Sequence, residues 1–273
     1  MADARPIGFF DSGVGGLTVL REVVRRLPDE STIYIGDNAR APYGPRADDE
    51  VRRFSSECLD ELASRNVKAI VVACNTSSAI ALNDLRLRYD VPILGVVRPG
   101  ATSAALATRT RRVGVIATQA TVRSRAYFQA IKDENPFVEV LEHATPELVP
   151  LVEAGQLDGP LVEDVVRRSV APLFERDQEI DTLLLGCTHY PLLAPVIRRA
   201  VGPELAVIDS ASATASALAG LLEVHGLAAP AEKRPYHRQL TTGDVEAFRR
   251  ISDRLFDGLF PTVERVMLAG AAA

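Results

Sequence analysis

Two cysteines of this 273-residue chain, Cys74 and Cys187, stand in matching surroundings. Each follows a short apolar run and precedes residues that form hydrogen bonds and the start of a helical pattern. The start of a helix favours the thiolate form of cysteine, which accepts a proton readily. Two such thiols facing each other across a cleft have the arrangement that a two-base proton transfer needs. Cys58 instead shares a helical apolar spacing with Phe54 and Leu62 and is interpreted as a core residue.

Other polar residues follow the same apolar runs and their neighbours. They are Asp11, Ser12, Asp37 and Asn38 in the first half, and Thr118, Thr121, Thr188 and His189 in the second. Ligands of doubly wound sheets bind outside the carboxyl ends of the strands, so these residues are candidates for one site. His189 is placed to tune a thiol or to carry a proton. Asp11 is placed either to pair with a substrate ammonium group or to cap a helix.

A glycine-rich turn after the first apolar run leaves two binding chemistries open. Gly13, Gly15 and Gly16, together with Asp37, resemble a dinucleotide-binding motif, but Thr18 stands where its third glycine belongs. Such a turn also binds a carboxylate through backbone N–H groups, which suits a small anionic substrate. A nicotinamide-dependent enzyme therefore stays an alternative. The cysteines and histidines lack the spacing of metal ligands, so no metal is expected.

Apolar runs rich in valine and isoleucine alternate along the chain with helical patterns, which predicts parallel sheets covered on both faces. The predicted strands are Ile7–Phe10, Thr32–Ile35, Ala69–Ala73, Ile93–Val96, Val113–Ala117, Val138–Leu141, Thr182–Leu185 and Ala206–Ile208. The predicted helices are Leu17–Arg26, Ala47–Arg65, Ser77–Arg88, Thr121–Lys132, Pro146–Phe174 (as two helices) and Leu192–Val201.

The strands of the two halves correspond in order, and this suggests an internal duplication. We therefore predict an α/β fold of two similar, doubly wound parallel-sheet domains. The segment after Ile208 has no counterpart in the first half. Its patterns predict the helix Ser210–Leu222, the strand Tyr236–Thr242, the helix Val245–Leu255 and the strand Pro261–Leu268. We expect this tail to return to the first domain, so that residues 1–97 and 210–273 form one domain and 98–209 the other.

The bulk composition excludes several classes of protein. Hydrophobic residues make up 47% and charged residues 25%, as in ordinary globular proteins. The net charge of −5 argues against a nucleic-acid-binding face, which needs clustered lysine and arginine. No window approaches the ~20 apolar residues of a membrane-spanning helix, and the first residues lack a signal-peptide pattern. Because three cysteines cannot form a disulfide framework, we expect reduced thiols and a cytoplasmic location.

Six motifs, spread over nearly the whole chain, resemble those of the glutamate racemases within the aspartate/glutamate racemase family. They are Ile7-Gly-Phe-Phe-Asp-Ser-Gly-Val-Gly-Gly, Gly36-Asp-Asn-Ala-Arg-Ala-Pro-Tyr-Gly, Ala73-Cys-Asn-Thr, Val149-Pro-Leu-Val-Glu, Leu185-Gly-Cys-Thr-His-Tyr-Pro-Leu and Thr241-Thr-Gly-Asp. They occur in the family's order. Any one of these motifs alone is weak, but together they are specific.

The resemblance implies that glutamate is enclosed between two domains related by pseudo-twofold symmetry, and that no pyridoxal phosphate or other cofactor is used. It implies that Cys74 and Cys187 are the catalytic acid/bases, with Asp11, His189 and Glu153 as auxiliary catalytic residues. The substrate site it implies consists of Asp11, Ser12, Tyr43, Gly44, Asn75, Thr76, Thr188 and His189. Two positions depart from the family: Arg98, where many relatives carry an acid, and Thr145, where a further cysteine is common.

The implied activity is the interconversion of L- and D-glutamate, which supplies D-glutamate for bacterial peptidoglycan, by a protein that is commonly a homodimer. An aspartate racemase is the nearest alternative and would share both thiols. A lyase or decarboxylase with a single cysteine is a second alternative, against which the pair Cys74 and Cys187 argues. A regulatory protein is a third, because some glutamate racemases are implicated in restraining DNA gyrase. No feature of this acidic sequence specifically favours that role, and we expect no direct contact with nucleic acid.

Overall fold

The computed structural model describes residues 2–231, 234–256, 258 and 262–268. The strands are β1 (Ile7–Asp11), β2 (Thr32–Gly36), β3 (Ala69–Val72), β4 (Ile93–Gly95), β5 (Arg112–Ala117), β6 (Glu139–Ala144), β7 (Thr182–Gly186), β8 (Ala206–Asp209), β9 (His237–Thr241) and β10 (Val263–Arg265). The helices are α1 (Leu17–Arg26), α2 (Asp48–Ser64), α3 (Asn75–Ile80), α4 (Leu82–Arg88), α5 (Val97–Ala107), α6 (Gln119–Ser124), α7 (Ala126–Glu134), α8 (Leu148–Glu153), α9 (Pro160–Arg176), α10 (Ala194–Val201), α11 (Ala211–Val224) and α12 (Val245–Phe256). A short 3₁₀ helix, Tyr190–Leu193, precedes α10.

The strands form two parallel sheets whose orders repeat. The first sheet has the order β10-β9-β2-β1-β3-β4 and the second has the order β6-β5-β7-β8. The segment β2-β1-β3-β4 of the first sheet therefore corresponds strand by strand to the whole second sheet. The prediction of two similar parallel-sheet α/β domains is confirmed.

Helices cover both faces of each sheet, which explains why the central strands are apolar throughout. In β1, Phe9 packs with α1 and α11 on one face, while the next residue, Phe10, packs with α2 on the other. The second sheet divides its core in the same way between α8, α9 and α10 on one face and α5 and α7 on the other. A strand buried on both faces gains from an apolar side chain at every position, so its sequence is a continuous apolar run.

The tail joins the first sheet, because β9 pairs with β2 and β10 pairs with β9, both in parallel. The predicted closing strand Pro261–Leu268 is longer than the observed β10, and Pro261 lies outside the described residues. The domain limits at 97/98 and 209/210 stay a prediction. The two connections between the sheets contain α5 and α11, which pack against each other.

One helix, α5, was not predicted from the sequence. Its first turn contains Pro99 and Gly100, and neither residue favours a helix interior. Proline is tolerated there because the first turn of a helix needs no N–H donor. The helix is stabilised by tertiary packing instead, since Val97, Ala101 and Ala104 lie in the core of the second domain.

Two of the predicted helices are each divided in the structure. Ser77–Arg88 corresponds to α3 and α4, which meet at Ala81, and Thr121–Lys132 corresponds to α6 and α7. Arg125, between α6 and α7, has a left-handed backbone with φ of 58°. Within the described ranges, no helix has the length and apolar character needed to span a membrane.

Candidate active site

A small cavity with a volume of about 20 Å³ lies where the carboxyl ends of the two sheets face each other. Both candidate thiols line it, one from each domain. The lining residues are Ser12, Ala41, Pro42, Tyr43, Gly44, Cys74, Asn75, Thr76, Thr118, Val149, Glu153, Cys187, Thr188 and His189. The parallel order of the strands brings them together, because all carboxyl ends of a parallel sheet lie at one edge.

Cys74 follows β3 and is the residue before the first turn of α3. Its sulfur lies 3.5 Å from the hydroxyl oxygen of Ser12, and the residue is buried. Burial raises the pKa of the Cys74 thiol, and the nearby carboxylate of Asp11 raises it further. The expectation that the helix start would lower the pKa of this thiol is therefore wrong, because desolvation of the thiolate outweighs the helix.

Cys187 follows β7 and lies beside a histidine. The Cys187 sulfur is 3.8 Å from Nδ1 of His189, and Nε2 of that ring is 2.6 Å from a carboxylate oxygen of Glu153. Burial by itself would lower the pKa of His189, but the contacts with Cys187 and Glu153 outweigh it and raise the pKa well above its usual range. Both contacts favour the protonated imidazolium form of the ring over the neutral one.

Asp11 does not line the cavity but lies directly behind it, fully buried. One carboxylate oxygen accepts a hydrogen bond of 2.8 Å from the backbone N–H of Gly13, and the other accepts one of 3.1 Å from the hydroxyl of Thr188. Burial raises the pKa of Asp11, whereas the charge of His189 lowers it. The residue is no helix cap, since α1 begins only at Leu17. Its bond to Thr188 connects the two domains.

Polar groups at the start of α3 face the cavity. Asn75 is buried, and its carbonyl oxygen accepts a short hydrogen bond from Tyr127, while its amide nitrogen has no partner among the described residues. The hydroxyl of Thr76 lies 3.0 Å from that of Thr118, which follows β5. An unpaired buried N–H group beside a cavity is well suited to a carboxylate ligand, because leaving it unpaired is unfavourable.

The loop that carries Tyr43 and Gly44 forms another wall of the cavity. The hydroxyl of Tyr43 donates a hydrogen bond of 2.5 Å to Asp37, so that group is already occupied. Asp37 also accepts hydrogen bonds of 2.7 Å from Arg40 and from Thr242. Although it follows a strand end, Asp37 does not line the cavity, and its contacts anchor the loop instead.

The glycine-rich turn is explained by close packing between the domains. A Cβ atom on Gly15 would lie 2.5 Å from both Nδ1 of His189 and the hydroxyl oxygen of Thr188. Only a residue without a side chain fits this approach. The turn therefore gives no support to the alternative of a nicotinamide-dependent enzyme.

The described residues also contain no cluster of three potential metal ligands.

Most residues of the expected site line the cavity, and the structure adds three more. Ala41, Pro42 and Val149 line it but were not among the expected site residues, whereas Thr118 was already a candidate because it follows a strand. Val149 carried a signal in the sequence, since it opens one of the motifs. Ala41 and Pro42 lie inside the second motif without any chemistry of their own to mark them.

The two departures from the family pattern lie outside the cavity. Thr145 is buried, and its hydroxyl donates a hydrogen bond of 2.8 Å to the hydroxyl of Tyr190. Arg98 is exposed on α5 and forms an ion pair of 3.7 Å with Glu134. Neither substitution changes a group that faces the two thiols.

Residues 7–218 match the family described as Asp/Glu/Hydantoin racemase. The chain belongs to this family. It is 46% identical to the glutamate racemase of Exiguobacterium sibiricum over 248 residues, which cover 91% of each chain. The resemblance of the motifs is thus confirmed.

Solved structures of other members of the racemase family share the fold. A glutamate racemase isoform of Bacillus anthracis aligns with a TM-score of 0.92 and 42% identity, covering 97% of this chain and 98% of that one. The glutamate racemase of Francisella tularensis, solved in complex with D-glutamate, aligns with a TM-score of 0.88 and 34% identity over the same shares.

Proposed function

We propose that this protein interconverts L- and D-glutamate, with Cys74 and Cys187 as acid/bases on opposite faces of the substrate. The observation that carries the proposal is that the two thiols follow corresponding strands, β3 and β7, and line one buried cavity. Support for glutamate comes from the similar proteins, which are named glutamate racemases. The aspartate alternative shares the thiol pair and is distinguished by experiment.

The reaction moves one proton off the α-carbon and another one on. At one thiolate an S–H bond forms as the α-C–H bond breaks, leaving its electron pair on the substrate. At the opposite thiol the S–H bond breaks, and a new C–H bond forms on the other face. The two sulfurs exchange protonation states in each turnover, so the two directions of racemisation start from opposite protonation states. No oxidant, metal or cofactor enters this balance.

The charges around the two sulfurs differ, and this favours one arrangement of protons in the free enzyme. Cys74 lies near the carboxylate of Asp11, which favours the neutral thiol. Cys187 lies beside His189, whose pKa is raised well above its usual range by the contacts with Cys187 and Glu153. We therefore expect Cys74 to carry its proton when the cavity is empty of substrate.

The α-proton of an amino acid is a weak acid, so the carbanion needs stabilisation. The free amide N–H groups of Asn75 and the hydroxyl of Thr76 are donors at the cavity wall, whereas the hydroxyl of Thr188 already donates to Asp11. These donors would bind the α-carboxylate of the substrate. Their hydrogen bonds would become stronger in the transition state, because negative charge from the α-carbon moves onto that carboxylate. Fixed donors in a site without bulk water stabilise such charge more than water does.

The test is to incubate the purified protein with L-glutamate in D₂O without added cofactor, and to follow optical rotation and α-deuteration together. Loss of rotation together with deuteration is expected. Cys74→Ala and Cys187→Ala should each lower racemisation by roughly 10³-fold or more. Cys58→Ala is the matched control, because Cys58 is also buried but lies on the inner face of α2, in the core, and this variant should retain activity.

Other outcomes would change the proposal in defined ways. Exchange with L-aspartate but not with L-glutamate would overturn the substrate and leave the two-thiol mechanism. Full racemisation by either single cysteine variant would overturn the mechanism. No turnover of either amino acid by folded, reduced protein would overturn racemisation itself.

We further propose that the protein acts in the cytoplasm as a homodimer and supplies D-glutamate for peptidoglycan, as its family resemblance suggests. Expression should restore growth of a bacterial strain that depends on added D-glutamate, whereas the Cys74→Ala/Cys187→Ala variant should not. Sedimentation equilibrium tests the dimer. A gyrase supercoiling assay with the double variant would separate any regulatory role from catalysis.

A further inference from the structure

The orientation of the Asn75 side-chain amide is decided by a tyrosine of the other domain. An asparagine amide can present either its oxygen or its nitrogen to a ligand. Here the carbonyl oxygen of Asn75 accepts a short hydrogen bond from the hydroxyl of Tyr127, on α7. The amide nitrogen is buried without a partner among the described residues, and Asn75 lines the cavity. The donor end of the amide is therefore the end available to a substrate.

The hydroxyl of Tyr127 has one proton, and its surroundings direct that proton to Asn75. Burial raises the pKa of Tyr127, and the neighbouring Cys187 adds to this effect, so the phenol stays protonated. Ser210, just before α11, is buried and lies close to the phenol. Because a carbonyl oxygen can only accept, the bond between Tyr127 and Asn75 uses the phenol proton.

Close packing holds the Tyr127 ring in place. A Cβ atom on Gly186, the residue before Cys187, would lie 2.9 Å from the ring. A Cβ atom on Gly100 would lie 3.4 Å from the hydroxyl oxygen. The ring fills the space left by the two glycines, and the side chain is fully buried. Its hydroxyl therefore has little freedom to turn away from Asn75.

We propose that Tyr127 is a positioning residue: its hydrogen bond to the carbonyl oxygen of Asn75 fixes the amide so that its N–H groups face the substrate carboxylate. A hydrogen bond accepted by the amide oxygen also polarises the amide, which strengthens its N–H donors. The inference rests on the proposed function, since it takes a substrate carboxylate in this cavity as the acceptor.

The test is a double-mutant cycle in the full-length protein, with kcat and KM measured for both enantiomers of glutamate. Tyr127→Phe keeps the ring and removes only the hydroxyl. It should lower kcat/KM by roughly tenfold for both enantiomers, with a loss in kcat as well as a rise in KM, because the amide donors bind the developing carbanion more strongly than the substrate. In an Asn75→Ala background, which removes the amide, the same substitution should have almost no further effect. Non-additivity of this kind is the signature of two residues acting as one unit.

Tyr190→Phe is the matched control, because Tyr190 is also fully buried in the second domain but bonds to Thr145. Any effect of this control should be the same in both backgrounds. If Tyr127→Phe does not fold, Tyr127→Leu provides the second variant, and the part of its loss that comes from the hydroxyl should again disappear in the Asn75→Ala background. An effect of Tyr127→Phe that persists unchanged without the Asn75 amide would overturn the inference. A parent protein without glutamate turnover would overturn the proposed function, and the inference with it.

Discussion

A carboxylate oxygen of Glu153 lies 2.6 Å from Nε2 of His189, and the other nitrogen of that ring lies 3.8 Å from the Cys187 sulfur. The three residues form a line from the partly exposed carboxylate to the buried thiol. Negative charge at one end stabilises positive charge in the middle, which in turn attracts negative charge at the far end. No such imidazolium is found beside Cys74 among the described residues, and this difference underlies two of the predictions below.

Glu153→Gln should move the alkaline limb of the activity profile to lower pH. Glu153 contributes to the raised pKa of His189, so removal of its charge lowers that pKa and the ring loses its proton at a lower pH. A partner charge at this distance shifts a pKa by ~1–3 units. The measurement is kcat against pH in both directions of racemisation. An alkaline limb that coincides with that of the parent would show that the His189 charge is not needed.

Asp11→Asn should make the Cys74 thiol more acidic. The carboxylate of Asp11 helps to raise the pKa of this thiol, so its neutral replacement should allow thiolate to form at a lower pH. The rate of alkylation by iodoacetamide reports the thiolate when Cys74 is the only cysteine, in a Cys58→Ala/Cys187→Ala background. The alkylation profile should shift to lower pH on Asp11→Asn. A shift in the opposite direction, or none, would contradict the assigned influence of Asp11.

Gly15→Ala should damage catalysis much more than folding. The added Cβ atom would meet His189 and Thr188 at 2.5 Å and push the two domains apart at the site. A displacement of about 1 Å at a catalytic group lowers the rate by ~100-fold. Gly220→Ala, on α11, is the control, because its Cβ atom meets nothing within 4 Å. That control should keep its activity and stabilise the helix by roughly 0.5–1 kcal/mol. Equal activity of the two variants would refute the steric argument.

Lys68→Met should strongly reduce the free energy of unfolding. The ammonium of Lys68 lies 2.6 Å from a carboxylate oxygen of Glu30 and donates to the carbonyl of Asp3, and the ion pair is almost completely buried. Removal of one partner leaves a buried charge without compensation, at a loss of ~3–5 kcal/mol. Urea unfolding measures the loss. Lys68→Met/Glu30→Gln should recover part of it, and a double variant less stable than Lys68→Met would contradict this explanation.

The strands were predictable because each is a local feature of the sequence. All eight strands of the two repeats were expected within a few residues of their observed ends, since burial on both faces requires an unbroken apolar run. The helix α5 was not predictable in this way. Its small residues and its early proline give no strong local signal, and it forms because the core of the second domain packs against it.

The site could be predicted in part, and the missing part depends on contacts between distant segments. Cys74 and Cys187 are marked by their places after apolar runs, and the family motifs mark most of the other lining residues. Nothing in the sequence indicated that Tyr127 belongs to the site, since it is one tyrosine within a helical pattern. Its importance arises only because α7 of one domain meets α3 of the other.

The sequence by itself determined the family, the parallel strands and the placement of a thiol after a strand in each half, because these depend on neighbouring residues. The tertiary structure decided the electrostatics. Asp11 contacts Thr188 across 177 positions of sequence, and Glu153 contacts His189 across 36. These contacts place a carboxylate near one sulfur and an imidazolium beside the other. Such a difference cannot be read from residues in order, because charges act through space and burial sets how strongly they act.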